Sequence, residues 1–193
     1  SFENYHLKRG HQLLRVKPRE NIRPDDPYDR LMSAINDGSP IIISGATATG
    51  KTTFLKSLRN TLFKRYVVLA PTGIAALNCE GVTIHSFFQL DFMPYIPGRT
   101  IKHKKMRVDK VNLIRSLELI IIDEISMVRA DVLDQIDTLL RKLRFSQRHK
   151  PFGGVQLLMI GDLSQLPPVA KQEEWDFLSQ FYKTPYFFSA SIM

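Results

Sequence analysis

The chain has 193 residues, of which 44% are hydrophobic, and this is enough apolar material for the core of one α/β domain. Its 27 Lys and Arg residues outnumber its 19 Asp and Glu residues, and the net charge of +8 favours an anionic partner, nucleic acid ahead of a membrane surface. A single cysteine, Cys79, excludes a framework of internal disulfides, and the longest apolar run, near residues 119–122, is too short to span a bilayer.

The first 26 residues are polar and highly charged, with Pro18, Pro24 and no regular period. We therefore predict an arm or lead-in over residues 1–26 and a folded domain over residues 27–193. The chain begins without Met and without an apolar signal core, so we expect it to be a piece of a longer protein.

Helices and strands alternate through the predicted domain. Tyr28, Leu31, Met32 and Ile35 lie at helical spacing, and Gly38 follows them as a stop signal. Continuous apolar runs, which are typical of parallel strands covered by helices on both faces, indicate a doubly wound α/β sheet. Strands are predicted at residues 40–44, 66–70, 117–123 and 155–161, with 185–190 as a candidate fifth, and further helices at 51–63, just before 117, and at 130–144.

A long, basic and proline-bearing loop is predicted at residues 91–110. Loops of this length usually have a function or are mobile. Residues 102–107 read KHKKMR, and two interpretations of this run stay open: a segment that follows a DNA backbone, or a solvated loop.

Residues 44–54 read SGATATGKTTF and contain the phosphate-binding pattern G-x-x-x-x-G-K-T between a predicted strand and a predicted helix. Gly45 and Gly50 allow backbone N–H groups to converge on phosphate oxygens, and the helix N-terminus adds a favourable dipole. Lys51 would reach the β- and γ-phosphates, and the Thr52 hydroxyl would ligate Mg²⁺. The predicted nucleotide-binding residues are Gly45, Ala46, Thr47, Ala48, Thr49, Gly50, Lys51, Thr52 and Thr53.

Polar residues follow two other predicted strands. Asp123 and Glu124 would lie at the carboxyl edge of the sheet, where open α/β sheets bind ligands. Asp123 would hold Mg²⁺ directly or through water, and Glu124 would orient and deprotonate the attacking water. The segment GDLSQLPPV carries Gln165, whose amide could contact a γ-phosphate; a proline-stiffened turn with an incidental Gln explains the same residues, and spacing does not decide between the two.

Four segments, GATATGKTTFLK, APTGIAALNCEGVTIHSFFQL, IIIDEISMVRADVLDQID and FGGVQLLMIGDLSQLPPV, together resemble the first RecA-like domain of the PIF (petite integration frequency) DNA helicases. The resemblance covers about residues 40–169. It implies a three-layer RecA-like P-loop NTPase domain with a mainly parallel sheet, ATP and Mg²⁺ as cofactors, and 5′-to-3′ translocation on single-stranded DNA with unwinding of forked duplexes. It also implies roles in DNA repair, DNA recombination and telomere maintenance.

The resemblance assigns roles at matching positions. Lys51, Glu124 and Gln165 become the catalytic residues, with Gln165 as the γ-phosphate sensor, and Thr52 and Asp123 become the Mg²⁺ ligands. The DNA-facing segments of the family match PTGIAA and TIHSFF, and small or hydroxyl-bearing residues there suit contacts to phosphate and sugar. The candidate DNA contacts are Thr72, Gly73, His85 and Ser86.

Several histidine, aromatic and cysteine side chains of the chain have structural interpretations. His85 is equally compatible with a hydrogen-bonded structural histidine. Phe87 and Phe88 are expected in the core of a short helix rather than as stacking platforms for bases. Cys79 and Trp175 are expected to be packing residues.

Among the departures from the family pattern, two shape the expected activity. Ala48 replaces a loop glycine, and Ala in a left-handed position costs about 1–2 kcal/mol, so we expect at most a modest loss of nucleotide affinity. The second RecA-like domain, with the arginine that completes the ATP site, would belong to the same parent chain beyond Met193. We therefore expect these 193 residues to bind nucleotide but to hydrolyse it poorly.

Two alternative functions stay open at this stage. One is a P-loop kinase of small molecules or nucleotides, and the other is a nucleic-acid-binding module with impaired catalysis. For the helicase interpretation we expect a monomer without membrane association, not secreted. It would be cytoplasmic and associated with the nucleoid if bacterial, and nuclear or mitochondrial if eukaryotic.

Overall fold

A computed structural model describes residues 32–35, 37–38, 41–44, 55, 58–59, 62, 64–98, 106–162, 168 and 170–193. Five parallel strands form one sheet in the order β1-β5-β4-β2-β3. This arrangement confirms the predicted parallel α/β class. The strands are β1 (Ile41–Ser44), β2 (Tyr66–Ala70), β3 (Val82–Thr83), β4 (Leu119–Ile122) and β5 (Gln156–Gly161).

The sheet separates two hydrophobic clusters, because successive side chains of a strand point to opposite faces. Residues of β2, β4 and β5 are buried along their whole length, as the continuous apolar runs predicted. One face carries Val67, Leu69, Ile120, Ile122, Leu157 and Met159, and the other carries Val68, Ala70, Leu119, Ile121, Leu158 and Ile160. Helices cover both faces, which gives the three layers that the resemblance implied.

Five helices have described bounds: α1 (Gly73–Asn78), α2 (Ile84–Phe88), α3 (Val108–Ser116), α4 (Ala130–Leu143) and α5 (Gln172–Leu178). Residues 32–35 are also helical, and Gly38 has a φ of +83°, so the predicted helix stop is confirmed. No helix in the described part of the chain is both long and apolar enough to cross a membrane.

The long helix α4 packs the predicted apolar face against the sheet, with Leu133, Ile136 and Leu140 fully buried. Its buried carboxylates are satisfied by backbone donors from other segments. Asp134 accepts hydrogen bonds from the N–H groups of Ser191 and Ile192, at 2.9 and 3.0 Å. The last residues of the chain are therefore fastened to α4 by a hydrogen-bonded carboxylate.

The prediction of a fifth strand at residues 185–190 was wrong. Tyr186 makes one antiparallel bridge to Arg129, and residues Phe187–Ser189 form a 3₁₀ turn. The fifth strand is β3, whose two residues pair with Leu69 and Ala70 of β2. A strand of two residues is too short to have a hydropathy period, so the pattern of the sequence did not reveal it.

Candidate nucleotide and DNA site

All five strands are parallel, so the residues that follow them gather at one edge of the sheet, which we call the carboxyl edge. Strand β5 lies between β1, which leads into the phosphate loop, and β4, which leads into Asp123 and Glu124. Neighbouring strands lie about 4.8 Å apart, so the exits of β1 and β4 are separated by about 10 Å. That separation suits a loop that holds phosphates and a carboxylate pair that acts on the last phosphate.

The phosphate loop itself lies outside the described residues, but its flanks have the predicted context. Strand β1 ends at Ser44, and the N–H of Leu62 donates to the carbonyl of Leu58 at 3.0 Å, which is a helical hydrogen bond. The roles of Gly45, Ala46, Thr47, Ala48, Thr49, Gly50, Lys51, Thr52, Thr53 and Gln165 stay predictions, since none of these residues is described.

Asp123 and Glu124 form a fixed turn at the end of β4. The N–H of Asp123 donates to the carbonyl of Leu69 at 2.8 Å, and the Asp123 Oδ1 accepts the N–H of Glu124 at 3.0 Å. Glu124 has a left-handed backbone (φ 53°, ψ 45°), a conformation that costs an L-residue about 1–2 kcal/mol. Strain of this kind concentrates at functional sites, and both side chains are half-buried at the edge where the nucleotide is expected.

Glycine at position 161 lets this turn pack against the end of β5. A Cβ atom on Gly161 would lie 2.9 Å from the Cγ2 of Ile125 and 3.1 Å from its backbone nitrogen. Asp162 follows and is also buried. The sequence drew attention to Gly161 and Asp162 only as the end of a strand, and the close packing of the two turns is a result of the structure.

Cys79 follows the last residue of α1 and lies close enough to Asp123 to be affected by its charge. Its thiol is buried, and burial raises its pKa to about 11, with a further contribution from the Asp123 carboxylate. Cys79 is therefore a packing residue, as predicted.

The predicted DNA contacts follow β2 and β3, on the other half of the carboxyl edge. Thr72 caps α1 by accepting the N–H of Ala75 at 3.2 Å, and a hydroxyl that accepts such a bond keeps its own proton for a second partner. Gly73 is exposed, and a Cβ atom there would meet nothing within 4 Å. Its small size therefore has no packing cause among the described residues.

His85 is the centre of this half of the edge, because it lines two adjoining grooves. A groove of about 410 Å³ is shared with Thr72 and Arg129, and one of about 720 Å³ is shared with Gly73 and Ser86. The four candidate DNA contacts therefore lie on one continuous surface. Burial and the nearby Arg129 guanidinium lower the pKa of His85, so its imidazole is neutral at pH 7.

Phe92 is a candidate site residue that the sequence reasoning missed. Its ring stacks on the imidazole of His85, with centroids 4.8 Å apart, and yet the side chain is 81% exposed. We call this pair the His85–Phe92 wall. Phe87 and Phe88 are buried, as expected for core residues. The available signal was an aromatic residue in a proline-bearing loop, outside any periodic segment.

A model of the PIF1-like helicase family matches residues 27–182. The chain belongs to this family. It is 36% identical over 163 residues to the ATP-dependent DNA helicase PIF1 of Saccharomyces cerevisiae, and 35% identical over 145 residues to that of Homo sapiens. These alignments cover 81% and 73% of the chain but only 18% and 22% of the two relatives.

Solved structures agree with the family assignment. The Bacteroides Pif1 bound to single-stranded DNA matches with a TM-score of 0.81 and 45% identity, over 89% of this chain and 39% of that one. The complex of Bacteroides Pif1 with ADP-AlF4 matches equally well, over 40% of its chain. The chain therefore has the fold of a helicase motor domain, and relatives with this fold have been solved with single-stranded DNA and with ADP-AlF4.

Proposed function

We propose that the chain is an ATP-binding motor domain of a DNA helicase, which couples ATP hydrolysis to movement on single-stranded DNA. The observation that carries this proposal is the strand order β1-β5-β4-β2-β3. Because of this order, β1 and β4 end on one half of the carboxyl edge, where the chain continues into the phosphate loop and the Asp123–Glu124 turn; we call this the nucleotide half. The other half follows β2 and β3 and carries Thr72, Gly73, His85 and Ser86; we call it the DNA half. A motor domain needs both halves on one rigid sheet.

On the nucleotide half, Lys51 would contact the β- and γ-phosphates, and backbone N–H groups of residues 45–53 would surround them. Glu124 would orient the attacking water and accept its proton. Gln165 would contact the γ-phosphate and report its presence to the DNA half. The fixed backbone of the Asp123–Glu124 turn supports these roles, because a positioned base needs little reorganisation during the reaction.

The donor set at this edge fits Mg²⁺. Magnesium in nucleotide sites is held by one or two carboxylates or hydroxyls together with substrate phosphates, and Asp123 and Thr52 supply one group of each kind. When bound, Mg²⁺ would neutralise charge on the β- and γ-phosphates.

On the DNA half, Thr72 and Ser86 would donate hydrogen bonds to phosphate or sugar oxygens, and Gly73 would let the backbone come close to a phosphate. The His85–Phe92 wall would stack a base, which is a contact that tolerates any sequence. We further propose forked duplex DNA as the substrate, a second RecA-like domain in the parent protein as partner, and a monomeric motor. We propose a location with DNA: the nucleoid in a bacterium, or the nucleus or mitochondrion in a eukaryote.

ATP turnover by the natural protein that carries this chain tests the proposal. We expect Mg²⁺-dependent hydrolysis that increases at least tenfold with oligo(dT), and oligo(dT) binding that weakens steeply as salt rises, because phosphate contacts release counterions. Turnover that does not respond to single-stranded DNA, with transfer of phosphate to a small molecule, would contradict the helicase function and favour a kinase.

A further inference from the structure

Asp131 lies in the first turn of α4 and is only 1% exposed. Both oxygens of its buried carboxylate accept hydrogen bonds. Its Oδ2 accepts the backbone N–H of Tyr95 at 3.0 Å and a hydrogen bond from Nη2 of Arg129 at 2.8 Å. Its Oδ1 accepts a hydrogen bond from Nε of Arg129, also at 2.8 Å. Asp131 thus joins a loop segment to the residue that precedes its own helix.

Tyr95 is held a second time, since its hydroxyl and that of Thr138 lie 2.9 Å apart and share a hydrogen bond. Thr138 lies two turns after Asp131 on the same side of α4. Helix α4 therefore forms hydrogen bonds with both the backbone and the hydroxyl of Tyr95. Tyr95 is buried and stands three residues after Phe92, whose own side chain is largely exposed. The anchored tyrosine therefore fixes the point from which the loop presents Phe92 to His85.

Arg129 connects the same cluster to α5. Its Nη1 donates to Oε2 of Glu174 at 2.6 Å, so each of its three guanidinium nitrogens donates to a carboxylate oxygen. An arginine bonded in this way has its charge matched inside the protein, and its side chain is only 13% exposed. Arg129 lines the groove beside His85, but its guanidinium nitrogens already donate to carboxylates, so we do not expect it to bind a phosphate.

We propose that Asp131 is a positioning residue for single-stranded DNA, which holds the His85–Phe92 wall in place through Tyr95 and is braced against α5 through Arg129 and Glu174. This inference rests on the proposed function, because it assumes that the wall faces DNA. Stability alone gives little reason for a buried ion pair, since apolar residues of similar volume often serve as well. Fixing the position of an exposed aromatic ring gives the pair a function.

The test compares variants of the natural protein in DNA binding, nucleotide binding and cross-linking. Oligo(dT) with 5-iodouracil at one position, moved through the sequence, reports by ultraviolet cross-linking whether a base lies on Phe92. We expect Asp131→Asn to weaken oligo(dT) binding at least fivefold and to reduce the cross-link at Phe92 by a similar factor. Affinity for a fluorescent ADP should change less than twofold, because Arg129 of this cluster lines the groove beside Thr72 and His85, on the other half of the carboxyl edge.

Two milder variants keep the test decisive if Asp131→Asn does not fold. Thr138→Val removes only the hydroxyl bond to Tyr95, and Glu174→Gln removes one ion-pair partner of Arg129; each should weaken the cross-link at Phe92 twofold to fivefold. Glu173→Gln makes the same charge change on an exposed neighbour and should alter nothing.

The outcomes separate this inference from the proposed function. If the unmodified protein fails to bind oligo(dT), the proposed function falls and the inference falls with it. If it binds, and the folded variants bind and cross-link as strongly as the unmodified protein, the positioning role is wrong while the proposed function stands. A parallel loss of ADP affinity would also overturn the inference, since it would show a general structural effect.

Discussion

The imidazole of His85 lies flat against the ring of Phe92, with centroids 4.8 Å and planes 9° apart. His85 comes from α2 at the carboxyl edge, and Phe92 comes from the loop that follows it. The histidine is half-buried while the phenylalanine is mostly exposed, so the stack presents a flat apolar surface beside two polar grooves. This combination suits a base of single-stranded DNA better than it suits solvent.

Replacing Phe92 by Ala should weaken binding of oligo(dT) by about 1–3 kcal/mol, which is about 5- to 150-fold, because it removes one base-stacking platform. The melting temperature should hold, since the ring is 81% exposed. Fluorescence anisotropy of a labelled oligonucleotide measures the affinity. Phe145→Ala is the matched control, because Phe145 is also an exposed aromatic residue, at 66%. It lies away from the carboxyl edge: the preceding residue, Arg144, donates to the carbonyl of Leu117, near the start of β4. Equal effects of the two variants would contradict a specific stack at Phe92.

Replacing Gly73 by Ala separates packing from function at the start of α1. A Cβ atom there meets no described atom within 4 Å, and Ala favours a helix by up to about 1 kcal/mol over Gly, so stability should be kept or raised. If a DNA phosphate approaches this backbone, oligo(dT) affinity should fall about tenfold even though the fold is intact. Thermal unfolding and filter binding measure the two quantities.

Gly81→Ala provides the contrast for that experiment. A Cβ atom at position 81 would lie 2.5 Å from the carbonyl oxygen of Val68, so this variant should lose stability. Unchanged affinity for oligo(dT) in Gly73→Ala would show that DNA does not approach the backbone at Gly73.

The sequence predicted those elements of the architecture whose burial requires a long, regular pattern of apolar residues. The buried runs of β2, β4 and β5 carry no charged residue, and Gln156 at the start of β5 is their only amide side chain. The apolar face of α4 repeats over four turns, so both patterns could be recognised without a structure. The left-handed Glu124, by contrast, has no signature in a sequence, because an acidic residue after a strand also suits the start of a helix.

The part of the edge that carries the candidate DNA contacts was predicted only in part. Thr72, Gly73, His85 and Ser86 were identified through family resemblance, and the structure places them on one surface. Phe92 was missed because its importance depends on a contact with His85 across seven positions of an irregular segment. The Asp131–Arg129–Glu174 cluster was missed because it joins residues 45 positions apart, and charges on a helix usually indicate only a solvated face.

The lowered pKa of His85 predicts a pH dependence of stability. The unfolded chain takes up the proton near pH 6.5 and the folded chain only at lower pH, so between these values the unfolded state binds more protons. The free energy of unfolding should therefore fall as pH drops below 6.5, and the contribution of His85 should be complete above it. Urea unfolding at pH 7.5 and 5.5 should show a smaller drop in His85→Gln than in the unmodified protein. An identical drop in both would show that His85 is not held in its neutral form.

The buried thiol of Cys79 should be chemically inert in the folded protein. With a pKa of about 11, about one thiol in a thousand is ionised at pH 8, against about a quarter for a free cysteine. Reaction with a disulfide reagent should be at least about 100-fold slower in buffer than in guanidinium. Mass spectrometry of the peptide that carries Cys79 assigns the labelling rate to this thiol. Rapid labelling under native conditions would show that this region beside Asp123 opens.

Glu124→Gln in the natural protein tests whether Glu124 acts on water at an ATP site on the carboxyl edge. DNA-stimulated ATP turnover should fall about 10²- to 10⁴-fold, while affinity for ADP stays within about threefold, because the change removes a base and leaves phosphate contacts intact. Glu118→Gln, an exposed carboxylate at the other end of β4, should keep full turnover. Undiminished turnover in Glu124→Gln would show that Glu124 is not the base that acts on water.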